Sequence, residues 1–267
     1  MTRFVVACQA VAVRRLVLIF LTLFVSGAIK LPIERDLHAQ NRSALGEHWR
    51  GVALGLDLRE QLGQIGFVAV LGGFRSVIAD VFFIEANVAW ERAEWGRVLL
   101  FLRQATTLQP RAVLFWDMAA WHMGWNASVA ALNDRSPSRL ALRIKAQREY
   151  LALAKDFLER GIRNNPEQPQ LYETLARLYR DKYHDHERAS EFFAKASALS
   201  GAMSYDRRFS AYELSYVEGR EREAHERLRL LYDAGKNERL PTLIGRLKFL
   251  EDKLDISRDQ RIPETER

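Results

Sequence analysis

The feature that most limits what this chain can fold into is the stretch from Gln168 to Leu199, QPQLYETLARLYRDKYHDHERASEFFAKASAL. Its apolar residues recur at helical spacing on both sides of a polar break, with small side chains at Ala176, Ala189 and Ala196 and bulky ones at Tyr172, Leu175, Tyr179 and Phe193. Two antiparallel helices that cross closely need this alternation: small residues let the backbones approach, and large ones beside them fill the groove. A single helix pair has no complete core. Such a pair must stack on others, so the pattern should recur along the chain.

It recurs on both sides. Tyr205 to Gly235 places Gly219 in a turn, Ala224 at the small crossing position, and Leu228 and Leu231 after it. Gly73 to Pro110 puts Ala86, Val98 and Ala105 at the small or apolar positions. The unit from 113 to 166 opens with Trp116 and Ala120, but its second helix, carrying Ala154, Leu158 and Gly161, arrives late. It fits only with an insertion of about 22 residues between Asn126 and Ala154. The insertion reads largely as extra helix, because Leu140, Ile144, Leu151, Ala154, Leu158 and Ile162 hold one apolar stripe. Asn133 to Ser138 reads as the loop that ends the preceding turn and caps that helix.

The periodicity and the placement of small and bulky residues resemble the tetratricopeptide (TPR) superfamily, most closely over 169–200. On that template one residue is inserted in the turn near Tyr183 to His186. The resemblance implies an all-α fold: a TPR-like right-handed helical-repeat superhelix of units at about 73–110, 113–166, 169–200 and 205–235. The competing expectation is a generic helical bundle with no repeat relationship and no shared concave face. A helix over 240–254 would cap the array, and a charged tail after Ile256 would fray.

A narrower resemblance rests on LGGFR at Leu71 to Arg75, AWER at Ala89 to Arg92, LQPR at Leu108 to Arg111 and FWDMAAW at Phe115 to Trp121. Together these motifs are similar to bacterial membrane-anchored TPR-like proteins of the kind seen in Verrucomicrobia. That group implies a tethered helical-repeat fold and transfers no catalytic residue. The chain departs from it after Trp121, where MGWNAS follows.

The amino end supports a tether. Arg14 and Arg15 precede the uncharged run from Leu16 to Ile29, with Lys30 to Ile33 beyond. A span ordinarily needs about 20 residues, and snorkelling arginines can extend a shorter one. The run suits an uncleaved signal anchor over 1–33 better than a cleaved signal peptide, although Ser26 and Ala28 would serve at a cleavage site. Arg3, Arg14 and Arg15 with no acidic residue before Lys30 put the amino terminus in the cytoplasm, and the remainder across the inner membrane in the periplasm. The one cysteine, Cys8, lies ahead of the apolar run, so no intrachain disulfide and no cysteine metal site can form.

Residues 34–64 read as a connecting helical region and 65–256 as the repeat domain. Ile65 to Ala86 is apolar, but Arg75 and Asp80 would be costly inside a bilayer. It reads as a buried first helix pair, with an interfacial helix as the alternative. Net charge is +6, from 40 basic and 34 acidic residues, and three of the basic ones belong to the anchor's flank. The rest interleave with acids as solvated helix faces do, which argues against nucleic acid as a partner.

The TPR resemblance implies that ligand-facing positions lie on the first helix of each pair. They fall on Asn87 and Trp90; on Asp117, Trp121 and Trp125; on Glu173, Arg177 and Arg180; and on Glu213 and Tyr216. Trp121 and Trp125 share a helix face that suits an extended peptide or an apolar helix. Beside Met118 and Met123 they suit core packing better still. Arg177 and Arg180 could clamp a carboxylate, but pairing with Glu173 and Asp181 is the plainer reading.

No phosphate loop, nucleophile elbow or paired-carboxylate motif occurs, so no catalytic residue, cofactor or metal is expected. His184 and His186 have a spacing that could ligate a metal, yet they fall in an inter-helix turn where polar residues belong. His122, between aromatics, reads as a packed or partly exposed histidine. Asn41 and Asn126 begin glycosylation acceptor triplets, which matter only in a eukaryotic secretory pathway.

The function implied is a membrane-tethered adaptor that binds protein in the bacterial envelope. A structural subunit of a larger membrane assembly is one alternative, using the apolar Ile65 to Ile84 surface. A glycan-binding module or enzyme is another. It would stack sugars on Trp90, Trp121 and Trp125 and use Glu91 and Asp117 as its acids.

Overall fold

In the computed structural model the described residues, 73–136 and 139–263, are helices joined by short turns, with no strand among them. The anchor, the connecting region and the first eight residues of the Ile65 to Ala86 stretch lie outside the described residues. Among the described residues no helix is long and apolar enough to cross a membrane.

The first pair is α1 (Arg75–Glu91) and α2 (Trp95–Leu108). The second begins with α3 (Val113–Trp121), which runs without a break through a π turn (His122–Ala127) into α4 (Ser128–Asn133) and packs on α5 (Leu140–Asn164). The third is α6 (Pro169–Leu178), extended by a second π turn (Tyr179–Tyr183), with α7 (His186–Ser197). The fourth is α8 (Ser204–Leu214) with α9 (Glu221–Asp233), followed by α10 (Pro241–Lys253). Each helix packs mainly on its neighbours in the chain, and α3 and α8 also touch the next first helices, α6 and α10. This nearest-neighbour pattern is what a chain of incomplete two-helix cores must adopt to bury its apolar faces.

The small residues sit where the spacing placed them. Ala86 and Ala105 are buried in the first pair, Ala176, Ala189 and Ala196 in the third, and Ala224 in the fourth. A close approach occurs in the second pair. A Cβ added to Gly161 would lie 2.9 Å from both Cβ and Cγ of Trp116, so only glycine fits where α5 crosses α3. Trp116 is fully buried, and its Nε1 donates to the Pro110 carbonyl at 2.9 Å. Asn165 Nδ2 donates to the same carbonyl, also at 2.9 Å. Pro169 and Pro241 open α6 and α10, where the missing N–H costs nothing. Asp185 caps α7 by accepting from the Arg188 N–H at 3.0 Å.

The extra residue expected near Tyr183 to His186 coincides with the π turn that ends α6. A π turn takes in one residue more than an α turn, and here the His184 N–H donates to the Tyr179 carbonyl, five residues back. His184 then closes the helix in the left-handed region at φ 54°.

Three expectations are corrected. The insertion in the second unit lengthens both helices, and the apolar stripe of α5 is buried only from Leu151 onward; Leu140 is 54% exposed. The helix α1 is buried on one face alone, through Ala79, Phe82, Ala86 and Ala89, while Val77, Val81, Ile84 and Val88 are exposed. The tail holds on to the body beyond Ile256. Ile262 is buried in the cluster formed by α8, α9 and α10, and its N–H donates to Glu251 Oε1 at 3.0 Å.

Candidate functional site

Two adjoining grooves lie along α3, α6 and the start of α8. The first has a volume of about 360 Å³ and is lined by Asp117, Met118, Trp121, Trp125, Thr174, Arg177, Arg180 and Asp181. The second, of about 500 Å³, shares Asp117, Thr174 and Arg177 with it and continues past Glu173 to Met203, Tyr205 and Asp206. Of the ten positions assigned to partner binding, Asp117, Trp121, Trp125, Glu173, Arg177 and Arg180 are therefore brought together.

The first groove has an aromatic wall. Trp121 is 40% exposed, so it is not core; the buried tryptophan of this helix is Trp116, five residues earlier. Trp125 is half-buried in the π turn, with the Lys182 ammonium 5.6 Å from its ring centre. Trp90 extends the wall from α1, its ring 6.3 Å from that of Trp121. Beneath them His122 is buried between Trp90 and Trp121, with ring centres 5.4 and 5.0 Å away, and burial pushes its pKa down to about 4. It is neutral at physiological pH and acts as a packed ring.

The opposite wall is charged, and most of its charge is already engaged. Asp117 accepts from Thr174 Oγ1 at 2.6 Å and from Gln170 Nε2 at 2.8 Å, which ties α3 to α6 across the groove. Glu173 is 8% exposed and accepts from Arg177 and, at 2.9 Å, from the Tyr205 hydroxyl. Arg180 pairs with Asp181 at 2.7 Å, and its guanidinium lies 5.8 and 5.7 Å from the ring centres of Phe193 and Phe209. Burial opposes its charge, but Asp181, Glu213 and Glu173 outweigh that and raise its pKa.

One groove residue escaped the sequence reading. Asp206 is fully buried at the start of α8; one carboxylate oxygen accepts from the Met203 N–H at 3.1 Å and the other has no partner. Burial, and then the nearby Glu173, push its pKa up to about 6. Its signal was local: an acid three residues into a helix reaches back to the N-cap N–H. That its other oxygen is stranded in the interior is a tertiary fact.

The remaining four positions do not line these grooves. Trp90 reaches them only through Trp121. Asn87 turns its amide to the Phe83 carbonyl at 3.1 Å, one turn back on α1. Glu213 is buried and pairs with His186 Nδ1 at 2.7 Å. Tyr216 is exposed but lies under the Arg246 guanidinium, 3.9 Å from its ring centre. In these last two the fourth pair spends its groove-side residues on packing against α7 and α10.

Of the two acids considered for catalysis, Asp117 is held by its two donors. His186 is engaged with Glu213, and among the described residues no group of three or more metal-ligating side chains converges. Comparison with known protein families, with characterised proteins and with solved structures gives no match to this chain.

Proposed function

We propose that this chain is a membrane-tethered, TPR-like helical-repeat adaptor that binds a protein segment of the bacterial envelope in the groove along α3 and α6, without catalysing a reaction. The observation that carries this reading is the convergence of Trp121, Trp125, Arg177 and Arg180 on one concave surface of about 360 Å³. Tryptophan and arginine dominate binding hot spots because they offer large apolar area together with directional donors. The groove is preorganised by Asp117, which bridges its two walls, so little ordering cost remains for binding. A chain tethered through residues 16–29, with the repeat domain in the periplasm, would gain affinity from the raised local concentration.

The test is crosslinking in the membrane followed by affinity capture. It compares the wild-type chain with a Trp121→Ala, Trp125→Ala, Arg177→Gln variant of unchanged helical circular dichroism. A defined envelope protein captured by the wild type and lost from the variant supports the reading. Partners that survive the substitutions, or no captured protein at all, overturn it.

A structural-subunit reading is favoured by a different surface. Phe74, Val77, Val81, Ile84 and Val88 are exposed at alternating spacings of three and four residues. That spacing forms the seam by which one helix packs on another. Survival of partners in the groove variant and their loss from a Val81→Asp, Ile84→Asp variant would select this reading.

A further inference from the structure

The inserted part of the second pair forms a two-helix extension that the array does not need. The helix α4 makes its substantial contacts only with α5 and with the π turn before it, and α5 has no buried residue before Leu151. The first ten residues of α5, and α4 beyond its buried first residue Ser128, thus contribute little to the core. Their composition is one-sided in charge. Arg135, Arg139, Arg143, Lys145 and Arg148 stand here against Asp134 and Glu149. Arg139 to Arg148 covers nine helical steps, or about 14 Å.

Two facts argue that these cations are not there for stability. Arg135, Arg139, Lys145 and Arg148 are exposed and make no ion pair among the described residues, whereas arginines elsewhere, such as Arg177, Arg220 and Arg227, are paired. Two of the cations, Arg139 at the N-cap and Arg143 in the first turn, also stand at the start of α5, whose first turn contains no acid. The positive end of the helix dipole makes that an unfavourable place for positive charge. Interleaved with them are apolar side chains in water: Leu140 and Leu142, 54% and 52% exposed, and Val129 of α4, 40% exposed. A nucleic acid would satisfy the cations and leave those leucines without a partner. A bilayer surface takes both, phosphate headgroups meeting the cations and the acyl boundary accepting the leucines.

We propose that this extension, α4 with the first part of α5, docks on an anionic lipid surface through Arg139, Lys145 and Arg148, with Leu142, which shares a helix face with Arg139 and Lys145 three residues to either side, entering the headgroup region. The contact fixes the array against the bilayer at a point far along the chain from the amino-terminal apolar run, and it does not depend on what the groove binds.

The test uses the full chain with Cys8→Ser, so that an environment-sensitive fluorophore can be placed uniquely through Leu142→Cys. The labelled protein is reconstituted into vesicles of phosphatidylcholine alone or with about a third phosphatidylglycerol. The expected result is a blue shift only with the anionic lipid. Salt at about 1 M, where charges are screened beyond about 3 Å, should abolish it. Each cation near an anionic leaflet strengthens association about fivefold, so Arg139→Glu, Lys145→Glu, Arg148→Glu should weaken it on the order of a hundredfold or more. Circular dichroism checks that α5 stays formed in this variant, where an acid at the N-cap position 139 favours the helix and one at 145 faces Glu149 one turn on. Equal spectra in the two vesicles, or a blue shift retained by the charge-reversed variant, overturn the proposal. A shift produced by polyglutamate but not by the anionic vesicles also overturns it, in favour of an acidic protein partner.

Discussion

Gly161→Ala is the sharpest test of how the second helix pair is held. The added methyl would lie 2.9 Å from Trp116 Cβ and Cγ and 3.3 Å from Leu171 Cδ1, whereas carbon atoms rest comfortably at about 3.5–4.0 Å. Cβ is fixed by the backbone, and Cγ can move only by swinging a fully buried ring. Relief requires α5 to move off α3, which loosens packing around a fully buried ring. Overpacking of this kind costs about 1–3 kcal/mol. Alanine recovers up to about 1 kcal/mol of helix propensity, and less near a helix end such as this one. The net expectation is a loss of about 1–2 kcal/mol, or roughly 2–8 °C in Tm for a domain of this size. Gly245→Ala is the matched control. It lies inside α10 with nothing within 4 Å of the added methyl, so the same substitution should stabilise by about 0.5–1 kcal/mol. Thermal and urea unfolding of the two variants, followed by circular dichroism, should therefore shift in opposite directions. A Gly161→Ala chain as stable as the wild type would refute the close-crossing argument.

Asp206 should make the fold less stable as pH rises. Its folded pKa of about 6 stands above the ordinary 3.8, so its contribution is intact below 3.8 and lost as pH climbs through 6. The loss is on the order of 2–3 kcal/mol, and Asp206→Asn should remove it and raise the urea midpoint at pH 7.5. His122 acts oppositely: with a folded pKa of about 4 against 6.5, its contribution is intact above 6.5 and lost as pH falls through 4. His122→Phe should flatten that acid limb of the stability profile by a similar amount, and a limb of unchanged slope would contradict burial of the neutral ring. Ile262→Ala should cost about 2–4 kcal/mol, because the side chain is buried under α8, α9 and α10. A tail that contributes nothing would give no change in the unfolding midpoint.

The helices and their pairing were legible because their signals are local. Ala176, Ala189, Ala196 and Ala224 are buried because alternation of small and large residues along 3.6-residue turns already states which face must be buried. The candidate groove was partly legible for the same reason. A template tied to the first helix of each pair selects residues on one side, and Asp117, Trp121, Trp125, Glu173, Arg177 and Arg180 do meet there. It failed where neighbours compete for the side chain, as Phe83 does for Asn87 and His186 for Glu213.

From the sequence alone came the all-helical class, the helix pairs, the glycine and alanine crossings and the pairings of Arg177 with Glu173 and of Arg180 with Asp181. Each depends on residues within a turn or two of one another, where spacing decides contact. Only the tertiary structure decided which tryptophan is core and which faces the groove, that Asp206 is buried with one oxygen unpartnered, that α5 stays bare until Leu151, and that Ile262 returns to the body. Those outcomes depend on which distant helix arrives to cover a side chain, and no periodicity along a single helix carries that information.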